Sequence, residues 1–105
     1  MGSSSYSVRL LPIAEQDLQD LLVHVAADNA AAALALADRI EKDLVALGSH
    51  PFLGRIPNDE TLAKLGYRML VVENYLIFYK ARGRTVFVYR IVHGARDVPS
   101  LLKDF

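Results

Sequence analysis

The sequence predicts an α+β domain in which a helical hairpin packs on an antiparallel sheet, in the order β-α-α-β-β-β. Three observations lead there. Apolar residues recur at helical spacing in two consecutive segments of the first half, a two-residue stop separates those segments, and after residue 66 the chain turns to Tyr, Val, Ile and Phe in short runs between tight turns. Helices grouped in sequence before a run of strands belong together on one face of an antiparallel sheet.

Tyr6–Leu11 is a short β-prone run and reads as the first strand. Pro12 ends it and suits the first position of a helix, where its missing N–H is no loss. Glu15 and Asp17 follow in the first turn, where carboxylates favour the helix dipole. Ala14, Leu18, Leu21, Leu22 and Val25 form the apolar stripe of this helix, with Gln16, Gln19 and Asp20 opposite.

Asp28 and Asn29 supply a stop and a new N-cap. The second helix begins at Ala30 with the stripe Ala33, Leu34, Ala37, Ile40, Leu44 and Leu47, and is closed by Gly48 with Pro51 beyond. So short a connection folds the two helices into a hairpin, and the alanines permit close approach. The stretch 50–65, HPFLGRIPNDETLAKL, is a loop with one helical turn at Glu60–Lys64. Tyr67–Val72, Tyr75–Ala81 and Thr85–Val92 are then three strands of a meander, joined at Glu73-Asn74 and Arg82-Gly83-Arg84. The tail from Ser100 to Phe105 supplies a short turn that packs Leu101, Leu102 or Phe105. The expected core between hairpin and sheet is Leu18, Leu22, Val25, Leu34, Ala37, Ile40, Leu44, Val71, Ile77 and Val88.

A chain of 105 residues with 52% hydrophobic and 23% charged residues makes one packed domain, expected over residues 6–105. Residues 1–5 read as a disordered leader or an expression remnant, since they lack both charge and an apolar run. Charged residues interrupt every apolar stretch before it reaches the length of a membrane span. With no cysteine, disulfides, zinc–thiolate sites and thiol nucleophiles are excluded, which suits the cytoplasm. Neither His24 nor His50 has a second ligand at metal spacing, so neither metal nor cofactor is expected.

The net charge is zero but divided: residues 1–66 hold five Lys/Arg against nine Asp/Glu, whereas residues 67–97 hold six against two. A basic second half suits an acidic partner, nucleic acid or protein, or a sheet edge dressed with charge. The strongest site candidates stand at the end of the last strand, in RIVHGARD. Alternation puts Val86, Val88, Arg90 and Val92 on one face, with Phe87, Tyr89 and Ile91 on the other. Arg90 then lines a groove, together with Arg68 of a neighbouring strand, or pairs with a carboxylate. His93 and Arg96 follow on the turn out of the sheet. Arginines with a histidine can bind a phosphate and move a proton. Structural ion pairs from Arg90 or Arg96 to Asp97 or Glu73 account for the same residues.

The runs GYRMLVVENYLIFYK and TVFVYRIVHGARD resemble the C-terminal half of RelE/ParE toxins, the toxin components of type II toxin–antitoxin (plasmid stabilisation) systems. HPFLGR resembles the loop after the helical hairpin in the ParE-like branch, and LLPIAEQDLQDL the family's opening, so the likeness spans roughly residues 6–102. It implies the same element order. RelE-like members cut mRNA on the ribosome; ParE-like members poison DNA gyrase. Of the basic residue, two arginines and tyrosine that RelE-like members carry, Arg68 and Arg96 match. Leu76 takes the place of the second arginine, and the tyrosine's place falls near Leu102. Without those two groups, cleavage loses orientation and charge stabilisation.

The resemblance therefore implies a gyrase inhibitor, with Arg68, Arg90 and Arg96 as contact residues for target or antitoxin. It also implies a cognate antitoxin that folds on binding. An mRNA endonuclease using Arg68, Arg96 and His93 is the alternative, and a non-toxic binding partner with the toxin fold is a third reading.

Overall fold

The computed structural model describes residues 5–94 together with Pro99 and Leu102. The elements run β1 (Ser7–Leu10), α1 (Pro12–Asp28), α2 (Ala30–Ser49), α3 (Glu60–Lys64), β2 (Arg68–Val72), β3 (Tyr75–Arg82) and β4 (Thr85–His93). Pro12 opens α1 as expected. Asn29 caps α2 by accepting the Ala32 N–H at 3.0 Å, and Asp59 does the same for Leu62 at the head of α3.

The four strands lie in the order β1-β4-β3-β2. β2, β3 and β4 form the expected antiparallel meander. β1 departs from expectation: it pairs with β4 in parallel, Ser7 opposite Thr85 and Leu10 opposite Val88. The helical hairpin is the reason. α1 carries the chain on past β1, and α2 brings it back to where β1 began, so that the Tyr6 N–H donates to the Gly48 carbonyl at 2.7 Å. β2 therefore leaves in the direction of β1, and two tight turns later β4 runs that way too.

One core cluster lies between the hairpin and the sheet, built on Ala14, Leu21, Leu36, Ile40, Leu47, Val72, Ile77, Tyr79, Val86, Val88 and Ile91, with Leu18, Leu22, Val25 and Leu44 packed at its margin. Three expected core residues, Leu34, Ala37 and Val71, are not in it; Ala37 is only half-buried and lines a shallow cleft on the hairpin beside Leu22 and Leu44. Leu34 is 74% exposed, while Leu36 is buried at 3%; on a helix two positions are roughly 200° apart, so the stripe through Ala33, Leu36 and Ile40 turns Leu34 to solvent. Val71 is exposed because Leu70 and Val72 take the helix-facing side of β2, and period two sends Val71 to the other.

Gly48 does not end α2, which continues to Ser49 with His50 as its cap. Its role is close approach: a Cβ there would stand 3.0 Å from the Tyr6 carbonyl oxygen.

A second apolar cluster covers the opposite face of the sheet: Leu62 of α3, Tyr67, Phe78, Val92 and Leu102, with Met69, Leu76 and Tyr89 against it. The alternation expected for β4 breaks between the two faces. The register shifts so that Phe78 pairs with Arg90 but Tyr79 pairs with Val88, leaving Tyr89 as an extra residue. This bulge puts Ile91 with Val86 and Val88 in the first cluster and Val92 in the second.

Candidate functional site

Arg90 stands at the bulge, and its guanidinium is held by α1. Its Nε and Nη2 donate to the two carboxylate oxygens of Asp17 at 2.7 and 2.9 Å, and the Ile91 N–H adds a third bond to Asp17 at 3.1 Å. The two side chains are only 11% and 14% exposed. The bond to Asp17, together with its charge, raises the Arg90 pKa further despite the opposing effect of burial. Asp17 thus serves β4 rather than the helix dipole. Of the two sequence readings for Arg90, the carboxylate pair is the one the fold makes, with a partner 73 residues away.

Arg68 occupies a different place. β3 lies between β2 and β4, so Arg68 and Arg90 do not line a common groove. Arg68 instead donates to the Gly54 carbonyl at 2.8 Å and more weakly to the Phe52 carbonyl at 3.4 Å, with its guanidinium 5.0 Å from the centre of the Phe52 ring. The loop it holds is tied twice more. The Gly54 N–H donates to the buried Tyr79 hydroxyl at 2.8 Å, and Arg55 exchanges both backbone bonds with Met69 on the outer edge of β2, at 3.0 and 2.8 Å. Burial pushes the Tyr79 hydroxyl pKa up, against the Gly54 amide and the Arg68 charge.

Pro51, Gly54 and Pro57 are buried; the residues between them, Phe52, Leu53, Arg55 and Ile56, face outward. Sequence reading missed these apolar tips. The signal was available as large apolar residues inside a Pro/Gly-punctuated loop.

Gly54 has no room for a side chain, because a Cβ would lie 2.8 Å from the Met69 carbonyl and from the Tyr79 ring. Gly54→Ala is expected to cost about 1–3 kcal/mol, the usual penalty of overpacking. Thermal denaturation measures it, and an unchanged Tm would mean that the loop does not dock this way.

His93 ends β4 exposed, its ring edge-on to Tyr75 at 5.7 Å. It borders an open cleft of about 380 Å³ that is also lined by Asp17, Asp20, His24 and Tyr75. Among the described residues no three His, Asp or Glu come together in a way that could hold a metal. Arg96 and Asp97 lie outside the described residues.

Leu76, at the position where the resemblance places a missing arginine, and Leu102, near that of the missing tyrosine, both belong to the second apolar cluster. There the Tyr67 hydroxyl donates to the Leu102 carbonyl at 3.2 Å, and burial, with Tyr89 nearby, pushes its pKa up to about 12. Lys80 lies over the rings of Tyr67 and Tyr89, at 4.5 and 5.0 Å; its own pKa is lowered by desolvation and by Arg82.

The fold is a helical hairpin packed on one face of a four-stranded sheet, with a second apolar cluster on the other face. The family model for the ParE toxin of type II toxin–antitoxin systems, parDE, matches residues 8–98, and the chain belongs to that family. Among the solved structures that share its fold are two toxin–antitoxin assemblies. One is the chromosomal ParDE toxin–antitoxin system from P. aeruginosa, at 21% identity and a TM-score of 0.69, covering 87% of this chain and 98% of that one. The other is the toxin–antitoxin complex RelBE2 from Mycobacterium tuberculosis, at 24% identity and a TM-score of 0.61, covering 88% of this chain and 94% of that one. Comparison with curated proteins returns no match.

Proposed function

We propose that this toxin acts by protein–protein contact on DNA gyrase, and that a cognate antitoxin restrains it by folding onto its surface. The observation that carries the reading is the filling of the second sheet face. Leu76 and Leu102 pack there into an apolar cluster, Leu76 at the position where the resemblance places a nuclease's arginine and Leu102 near that of its tyrosine. The guanidiniums of Arg68 and Arg90 are already engaged by loop carbonyls and by Asp17, so neither is poised to orient a scissile phosphate. In this reading Arg68 and Arg90 support the binding surface from within, and Arg96 contributes a contact charge.

The antitoxin is supported by family membership, since a toxin of a type II system is one half of a pair. No helix among the described residues is long and apolar enough to cross a membrane.

Purified protein added to gyrase, relaxed plasmid and ATP should block supercoiling, while translating ribosomes given the same protein keep their mRNA whole. Co-expression with the product of the adjacent gene should relieve the growth defect. Cleaved mRNA with unimpaired supercoiling would overturn the proposal in favour of the nuclease. In that event His93→Ala should lower cleavage by roughly a hundredfold, as loss of an acid–base group does.

A further inference from the structure

We infer that the braced loop between Pro51 and Pro57 is the surface that engages the target, and that it fits an acidic protein surface with an apolar recess; the inference rests on the gyrase reading above. Every third residue of the loop is an anchor: Pro51, Gly54 and Pro57 are buried. Between the anchors Phe52, Leu53 and Ile56 stand 61%, 52% and 57% exposed.

A loop with apolar tips would ordinarily fold them inward. This one is prevented, because its backbone is held by Arg68, by the Tyr79 hydroxyl and by the double bridge to Met69. Three restraints hold three large apolar side chains out in water, at the outer edge of β2. Such pre-organisation lowers the ordering cost of association, and phenylalanine and arginine are among the residue types enriched at interfaces.

Charge selects the partner. Neither 44–58 nor 65–72 contains an acidic residue, whereas Arg55 and Arg68 lie within them. Arg55 is exposed and has no salt bridge among the described residues. A cationic rim disfavours basic surfaces, three apolar tips call for a recess of matching apolar area, and an acidic protein surface with such a recess satisfies both features.

The test uses the full chain in the gyrase supercoiling assay, with two variants that touch no internal bond, Ile56→Ser and Arg55→Glu, checked by thermal melting and by capture of the antitoxin. Each should raise the concentration for half-inhibition tenfold or more while leaving Tm and antitoxin capture unchanged, and added salt should weaken the wild type more than Arg55→Glu. If the wild type inhibits gyrase and both variants inhibit equally well, the loop is not the contact surface, although gyrase remains the target. If the variants lose antitoxin capture but keep inhibition, the loop serves the antitoxin and the inference falls. If the wild type does not inhibit gyrase at all, the gyrase reading fails and takes this inference with it.

Discussion

Asp17→Ala is expected to lower stability by about 3–5 kcal/mol, the cost of stranding one member of a buried ion pair. Three hydrogen bonds end on that carboxylate, two from Arg90 and one from the Ile91 N–H. Alanine accepts none of them, so a guanidinium and a backbone donor are left with little access to water. Against a total of about 5–15 kcal/mol for a domain, this is a large fraction. Tm should fall by something on the order of 20 °C.

Asp17→Asn retains an acceptor but not the charge, and should fall between alanine and wild type. Replacing both partners, Asp17→Leu with Arg90→Met, removes the stranded charge and should recover much of the loss. A Tm drop of only a few degrees for Asp17→Ala would mean that the pair is far better solvated than its geometry indicates. Because β4 ends in His93, the same substitution should also loosen the end of the strand. Amide exchange at residues 90–93 is the second readout.

Leu36→Ala should cost about 2–5 kcal/mol, whereas Leu34→Ala should change stability by no more than about 0.5 kcal/mol. Both are leucines near the start of α2, and denaturant melts of the pair settle which stripe faces the sheet. Leu36 is 3% exposed and lies in the core cluster with Ile40 and Ile77; Leu34 is 74% exposed. Equal losses at the two positions would contradict the helix rotation observed here.

That pair also marks where sequence reasoning stopped. An alanine-rich opening such as Ala30–Ala33 offers several equally apolar stripes, and periodicity alone does not choose between the one through Leu34 and the one through Leu36. The sheet chooses, because only Leu36 reaches a surface already lined by Ile77 and Val88. Val71 failed for the same reason: with β-branched and aliphatic residues at 70, 71 and 72 in a row, no alternation declares which face is inward.

The candidate site divides similarly. Arg68 and Arg90 are both legible in the sequence as arginines among apolar strand residues, and an arginine so placed must find a partner. Which partner it finds was hidden, since the Asp17 carboxylate and the Gly54 carbonyl are brought in by α1 and by the loop after α2.

The sequence by itself determined the element order, the hairpin, the N-cap at Asn29 and the short helix at Glu60–Lys64, because each depends on residues within a turn or two of one another. Tertiary structure alone decided the parallel pairing of β1 with β4, the bulge at Tyr89, the Asp17–Arg90 pair and the bracing of the loop at Gly54. Each of these joins segments distant in the chain or breaks a local period. Their energy comes from contacts that exist only once helices and sheet have packed, and no local propensity encodes such contacts.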